Sequence, residues 1–463
     1  MRIRFLFIVL FLTSSLLAVA QSICNVVTNP AADASTGMRI SWAADSAGTG
    51  VMYKLAGAKG WDRAVYLQPE TATRCTAFDS IFSRNARGED VYEIPTIIKC
   101  GLTLSHLRPN TRYEYLIVDS HRRPLSQTYS FLTAGASEWN CCIISDFHSY
   151  TPTPKRLTSA MTMIDTVHAY CPFDWVLHLG DVVAWGGSWS FWQRMYQERQ
   201  FREYMWAGVQ GNHDYMGREK GVGTNDFTRN TTYYPANGFP EDERVTYHFR
   251  YGDVLFIMLN SMTNRTAENI TKAKAWMRQV VGEARASQNP PRYVIVCQHF
   301  EWFNGRTGQS IDYKRWSNIF DELGVDLALA GNNHIYVRTD AVYQGVTTNG
   351  STGTVYLQTP SSDNARGRTI STLRDNQDLI KRRWTEGKNT IGALSMEVNP
   401  QRILLTLLNR YGEVVDTVLV KAKKSRRHVR NSGFVEAPRN ITHPRGSLVQ
   451  NSSFNISGTV AKC

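Results

Sequence analysis

The sequence predicts an N-terminal β-sandwich followed by a layered α/β domain. Residues 22–134 break into short alternating strand-like runs separated by turns, the pattern of a small sandwich. Between about 138 and 420, apolar strand-like runs alternate with helix-like stretches, which favours sheet layers covered by helices. Within that second region, five apolar runs are each followed by Asp, Asn or His. Strands deliver their last residues to one rim of a sheet, so such residues can converge on one point, a metal site, although far apart in the chain.

The chain has 463 residues, room for two or three domains and a sizeable core. Residues 1–20 open with Met1-Arg2-Ile3-Arg4, continue with an apolar run over 5–12 and end in small residues, the layout of a secretory signal peptide. The mature chain is expected to start near Gln21 and to lie outside the cytoplasm, secreted or periplasmic. Thr13-Ser14-Ser15 breaks the run short of the roughly 20 apolar residues a membrane span needs, and no later segment reaches that length. Export permits disulfides among Cys24, Cys75, Cys100, Cys141, Cys142, Cys171, Cys297 and Cys463. Their pairing is open: Cys75 with Cys100 is a candidate in the first region, and Cys297, in an apolar run, reads as a buried thiol. Sequons at Asn230, Asn264, Asn269, Asn349, Asn440, Asn451 and Asn455 matter only in a eukaryotic secretory route.

Runs at 38–42, 51–55, 111–118 and 128–132 supply the first strands. The segment Leu107-Arg108-Pro109-Asn110-Thr111-Arg112-Tyr113-Glu114-Tyr115 resembles the tyrosine corner of fibronectin type III domains; such a domain serves as a packing module or binds a partner or glycan. Further on, 156–170, 189–204, 272–286 and 313–323 read as helices, with more strands at 254–260, 354–358, 394–398 and 403–408. Residues 421–463 are basic, then rich in Asn, Ser and Gly, and read as a mobile tail. No internal repeat is found. The net charge of +12 has its densest block at 421–430, away from the metal-binding segments. It reads as a solvated basic segment and not as a specific nucleic-acid interface, while still drawing anionic substrates in.

The five segments are Ser145-Asp146-Phe147-His148, Gly180-Asp181, Gly211-Asn212-His213-Asp214, Gln298-His299 and Gly331-Asn332-Asn333-His334. Their order and context, over most of the chain after residue 138, resemble the calcineurin-like metallophosphoesterase superfamily and, within it, the purple acid phosphatases. That resemblance implies two packed mixed sheets flanked by helices for 138–420, and a fibronectin type III-like domain over 22–134. It also implies two divalent or trivalent metal ions, with Fe, Zn and Mn all open. Asp181 matches the bridging carboxylate. Asp146, His148, Asp181 and His334 would hold the first ion, and Asn212, His299 and Asp181 the second. Asn332 stands where the family's Gly-His-X-His motif has its first histidine, so an amide oxygen or a water would fill that position. The purple branch has Asp-X-Gly and Gly-Asp-X-X-Tyr, whereas this chain has His148 and Ala184 at the variable places. His148 is then expected to take the position vacated by the tyrosinate, without its colour. Asn212 and His213 match residues that contact the phosphate, and His213 with Asp214 those that help protonate the leaving group. His178 reads as packed core. Tyr215, Trp185, Trp302, Phe303 and Tyr336 are either pocket rim or packing.

The implied function is that of a secreted phosphatase that hydrolyses phosphomonoesters, of small molecules or phosphoproteins, by attack of a metal-bound hydroxide at a dinuclear centre. A phosphodiesterase or nucleotidase of the same fold is the first alternative. A binding protein with a site weakened at Asn332 is the second. Residues 216–239 and 359–385 would form the specificity loops.

Overall fold

The computed structural model describes residues 22–76, 83–84, 90–91, 96–215, 231–238, 242, 244–305, 308–363 and 379–423, all within one compact unit. The expected signal segment, the tail beyond 423, Cys463, the sequons at 230, 440, 451 and 455, and parts of both specificity loops lie outside them.

The first strands are β1 (Ile23–Pro30), β2 (Met38–Ala44), β3 (Gly50–Leu55), β4 (Val65–Leu67), β5 (Thr71–Thr76), β6 (Thr96–Leu104), β7 (Arg112–Val118) and β8 (Tyr129–Leu132). After them come β9 (Trp139–Ile144), β10 (Trp175–His178), β11 (Met205–Gly208), β12 (Tyr247–Tyr251), β13 (Val254–Met258), β14 (Tyr293–Cys297) and β15 (Leu327–Ala330). The last are β16 (Tyr336–Tyr343), β17 (Thr354–Gln358), β18 (Ile380–Trp384), β19 (Gly392–Val398), β20 (Arg402–Asn409) and β21 (Val414–Lys421).

A ten-stranded sheet runs β21-β20-β19-β9-β10-β11-β1-β2-β6-β5, with β9, β10 and β11 parallel. An eight-stranded sheet contains β12-β13-β14-β15-β17-β16, with β14, β15 and β17 parallel. Alternate residues of both sheets meet in one apolar core: Trp139, Ile143, Trp175 and Leu177 from the first, Phe256, Ile295, Leu329 and Leu357 from the second. Trp139 meets Tyr251 edge-on at 4.7 Å between ring centres, and Trp175 meets Phe256 at 5.4 Å.

Helices cover the outer faces. On the first sheet, α1 (Lys155–Tyr170), α2 (Trp189–Tyr196) and α3 (Arg199–Glu203) bury Ile164, Val167, Phe191, Trp192 and Phe201. The helix expected over 189–204 is two helices, because Glu198 is extended (ψ 145) between them. A single turn, α4 (Asn212–Tyr215), follows β11. The second sheet is covered by α5 (Ala267–Ala286) and α6 (Ile311–Leu323). Ser310 Oγ accepts from the N–H groups of Asp312 and Tyr313 to start α6, and Gly324, at φ 58, ends it. Among the described residues no helix is long and apolar enough to cross a membrane.

The N-terminal strands lie in two sheets, but one is continuous with the ten-stranded sheet of the α/β region. β1 pairs parallel with β11, bringing Thr28 opposite Met205, so β1, β2, β6 and β5 extend the ten-stranded sheet. The other four strands form β8-β7-β3-β4. Tyr113 makes the corner expected of it: its hydroxyl accepts from the N–H of Arg108 at 2.9 Å.

Cys75 and Cys100 are not bridged to each other, which corrects that candidate pairing. Cys75 lies opposite Ile97 and Cys100 opposite Ala72, an odd offset that sends the two thiols to opposite faces of the sheet. Cys100 packs in the core with Trp42, and Cys75 on the other face near Trp189. Cys297 is fully buried, as expected. Of the sequons, Asn264 is buried and Asn349 exposed.

Candidate metal centre

Three parallel strands of each sheet end at the same place. Asp146 and His148 follow β9, Asp181 follows β10, Asn212 follows β11, His299 follows β14, and Asn332 and His334 follow β15. Five of these seven residues turn the chain in left-handed backbone: Asp146 (φ 54), His148 (44), Asp181 (53), Asn332 (71) and His334 (58). Each such residue without a glycine's freedom costs about 1–3 kcal/mol, and clustered strain of this kind marks a site where side-chain direction matters. Glycines make the approach possible. A Cβ on Gly211 would sit 2.2 Å from Asp181 Oδ1, and one on Gly331 would sit 2.2 Å from Ser145 Oγ and 2.7 Å from Asp146 Oδ2.

Asp181 stands between two imidazoles, its Oδ2 3.3 Å from His148 Nε2 and its Oδ1 3.3 Å from His299 Nε2. His334 Nε2 faces Asp146 Oδ1 at 3.3 Å, and Asn212 Oδ1 lies 3.2 Å from His299 Nε2. Donor atoms of Asp146, His148 and His334 lie within 4.8 Å of one another, as do those of Asp146, Asp181 and His299, and those of His148, Asp181 and His213. The far ring nitrogens are tied back: His299 Nδ1 to the Leu179 carbonyl (2.7 Å), His148 Nδ1 to that of Asp146 (2.9 Å) and His213 Nδ1 to that of Ala184 (2.8 Å). Each ring therefore turns Nε2 into the cluster, the tautomer following from these bonds. Asn332 joins through its backbone, whose N–H donates to Asp146 Oδ2 at 2.9 Å.

The charges of the cluster hold one another in place. Burial works against ionised Asp181, yet His299 and His148 keep its carboxyl well below the usual range. Burial likewise opposes an ionised Asp146, and His334 and His299 hold it down. Burial would push His299 down, but Asp181 and Asp146 overrule it and raise its pKa to about 10. A buried carboxylate pair thus demands positive charge, here met by a proton on imidazole. Asp146 Oδ1 is buried and receives no hydrogen bond of acceptable geometry. Carboxylate and imidazole donors around such a demand fit divalent cations, whose binding would displace that proton.

Two expected roles are placed differently. Asp214, expected to act with His213 on the leaving group, is a brace: its Oδ1 accepts from the N–H groups of Val182 (2.9 Å) and Val183 (3.0 Å), its Oδ2 from that of Gly211 (2.9 Å). Burial and nearby Asp181 push its pKa up to about 7. Trp302 and Phe303 pack beneath α6, and Tyr336 lies in the inner core with its hydroxyl on Asp416, so none of the three forms a rim. Trp185 is half-buried with its ring 6.3 Å from His213, and Tyr215 is half-buried on α4. His178 is core, bonded through Nε2 to Tyr234 Oη at 3.0 Å.

The structure also adds residues. Asp363, after β17, lies fully buried with Oδ2 3.6 Å from His148 Nδ1 and 3.4 Å from Arg156 Nε. Ser361 Oγ donates to the Asp146 carbonyl at 2.8 Å, so this loop braces the first motif. Glu301, two residues past His299, accepts from Asn332 Nδ2 at 2.5 Å. The findable signal for Asp363 was its position, a carboxylate just beyond an apolar strand of the same sheet.

Residues 141–336 match the sequence profile of the calcineurin-like phosphoesterases, from the first motif strand to just past His334. No curated protein matches the chain in sequence. Among solved structures, a purple acid phosphatase, PPD1, from seeds of yellow lupin (Lupinus luteus) is similar at 16% identity over 87% of this chain and 75% of that one, with a TM-score of 0.68. PhoD is similar at 12% identity over 86% of this chain and 88% of that one, with a TM-score of 0.53. At these identities the likeness is one of fold. Residues 141–336 thus match the calcineurin-like phosphoesterases within a fold similar to that of a purple acid phosphatase, and by class the chain is a phosphoric ester hydrolase.

Proposed function

We propose that this protein is a secreted dinuclear metallophosphatase acting on phosphomonoesters. The observation that carries the reading is the placement of Asp181, one carboxylate oxygen toward His148 and the other toward His299, each at 3.3 Å. Asp146, His148 and His334 would hold one ion beside Asp181, and Asn212 and His299 the other, with Asn332 the remaining candidate. Ions there would supply Lewis-acid polarisation of the phosphoryl group and a source of hydroxide at neutral pH.

The chain's own groups do the rest. His213 is anchored twice, its backbone N–H on Asp181 Oδ1 at 2.7 Å and its ring Nδ1 on the Ala184 carbonyl. Its Nε2 then faces the cluster, placed to hand a proton to the departing oxygen. Asn212, beside it on α4, is positioned to touch the phosphate. Asp214 ties the loop of Asp181 to that of Asn212, and so keeps proton donor and bridging carboxylate in register. The N-terminal charge and apolar pattern support export, and the net charge of +12 favours anionic substrates.

The test is a substrate panel on the mature chain with added divalent metal: an aryl phosphate monoester, the matching diester and a nucleoside monophosphate. Hydrolysis of the monoester at least about tenfold faster than of the diester is expected. Diester preference would move the reading to a phosphodiesterase. Silence on all three with two ions bound would replace it with a binding protein.

A further inference from the structure

We propose that Glu301 is a positioning residue for the second cation, holding Asn332 so that its amide oxygen takes the place of the histidine this chain lacks. The proposal rests on the two-ion reading above. Asn332 Nδ2 donates to Glu301 Oε2 at 2.5 Å, and Asn304 Nδ2 donates to Glu301 Oε1 at 3.0 Å. A carboxylate only accepts, so the amide of Asn332 has one possible orientation, with its nitrogen and not its oxygen on Glu301. Glu301 acts through its bond to Asn332, and its other oxygen is held by Asn304.

Three further features fit this role. Asn332 is at φ 71, a backbone that asparagine tolerates better than most side chains, and its N–H is fixed on Asp146 Oδ2 at 2.9 Å. The residue is thus pinned at backbone and side chain together. Glu301 leaves the same strand end as His299, so one loop delivers both an expected ligand and the group that aims another. A carboxylate pulling on the amide N–H also leaves more electron density on the amide oxygen, as carboxylates do for metal-bound imidazoles. That offsets the weakness of a neutral amide as a ligand.

Metal-free protein would be titrated with Zn²⁺ by calorimetry, alongside elemental analysis of ions per chain, for wild type, Glu301→Ala, Glu301→Gln, Asn332→Ala and the double Glu301→Ala/Asn332→Ala. Wild type should take two ions. Glu301→Ala and Asn332→Ala should weaken the second by about 10–100-fold and leave the first unchanged. Glu301→Gln, which keeps the shape and one acceptor, should lose less. The double variant should be no worse than Asn332→Ala. A second-site affinity unchanged in both Glu301 variants overturns the positioning role while leaving the two-ion reading intact. A double variant clearly worse than Asn332→Ala overturns it too, because Glu301 would then act on the metal itself. A wild type that takes only one ion defeats the two-ion reading and the proposal with it.

Discussion

Asp181 is the residue on which the site turns, because no other carboxylate of the cluster stands 3.3 Å from both His148 and His299 among the described residues. Asp181→Ala should reduce metal content from two ions per chain to one or none and lower turnover by about 10²-fold or more, the loss of several kcal/mol of charge stabilisation. Elemental analysis and a monoester assay measure both, and a variant with two ions and near-normal turnover would contradict the bridging role. His178, three residues earlier, has a different task. Burial, with His299 nearby, pulls its pKa from 6.5 to about 3. The unfolded chain therefore binds a proton that the folded one refuses. The stability this contributes is complete above pH 6.5 and is lost as pH falls toward 3, at up to about 1.4 kcal/mol per pH unit. In His178→Gln the urea midpoint should fall less steeply between pH 7 and 4.5 than in wild type; parallel curves would contradict the assignment.

The elements that matter most are the loops after the parallel strands, since they convert strand order into a cluster. Gly211 allows the loop after β11 to lie against Asp181. In Gly211→Ala the new methyl would overlap Asp181 Oδ1 and N, at 2.2 and 2.3 Å. Overpacking of this kind costs about 1–3 kcal/mol, and here it displaces Asp181, the proposed bridging carboxylate, as well. A lower melting temperature together with lost metal is expected; an unchanged melt with two ions would mean that the loop yields freely. Most of this was legible in the sequence, because each motif couples an apolar strand to a donor residue within a few positions. What was not legible depends on tertiary contact. Asp214 looked catalytic from its motif, and only the fold shows three backbone N–H groups on its carboxylate. Glu301 gains meaning only once β14 and β15 lie side by side and bring it to Asn332.

For the molecule as a whole, the ten-stranded sheet joins what the sequence divides. Local strand pattern suggests a division between 22–134 and 138–420, but it carries no trace of the β1–β11 pairing, in which residues about 177 positions apart become neighbours. That pairing makes β1, β2, β5 and β6 part of the ten-stranded layer, and Val26, Trp42 and Tyr115 share one core with Trp175 and Phe256. Removing residues 22–134 would strip β11 of its neighbour and open that core, exposing a bare strand edge. The fragment starting at residue 135 is expected to aggregate or to unfold without cooperativity, as followed by circular dichroism and size-exclusion chromatography. A soluble fragment with a sharp transition would show that the catalytic layer stands alone.

The most direct test of metal-dependent ester hydrolysis is reconstitution: strip the protein with a chelator, assay an aryl phosphate monoester, and return divalent metal in measured equivalents. Turnover should fall by at least about 10²-fold on stripping and recover as the second equivalent is taken up. Turnover that survives complete metal removal, or silence toward every ester with two ions bound, would contradict the account.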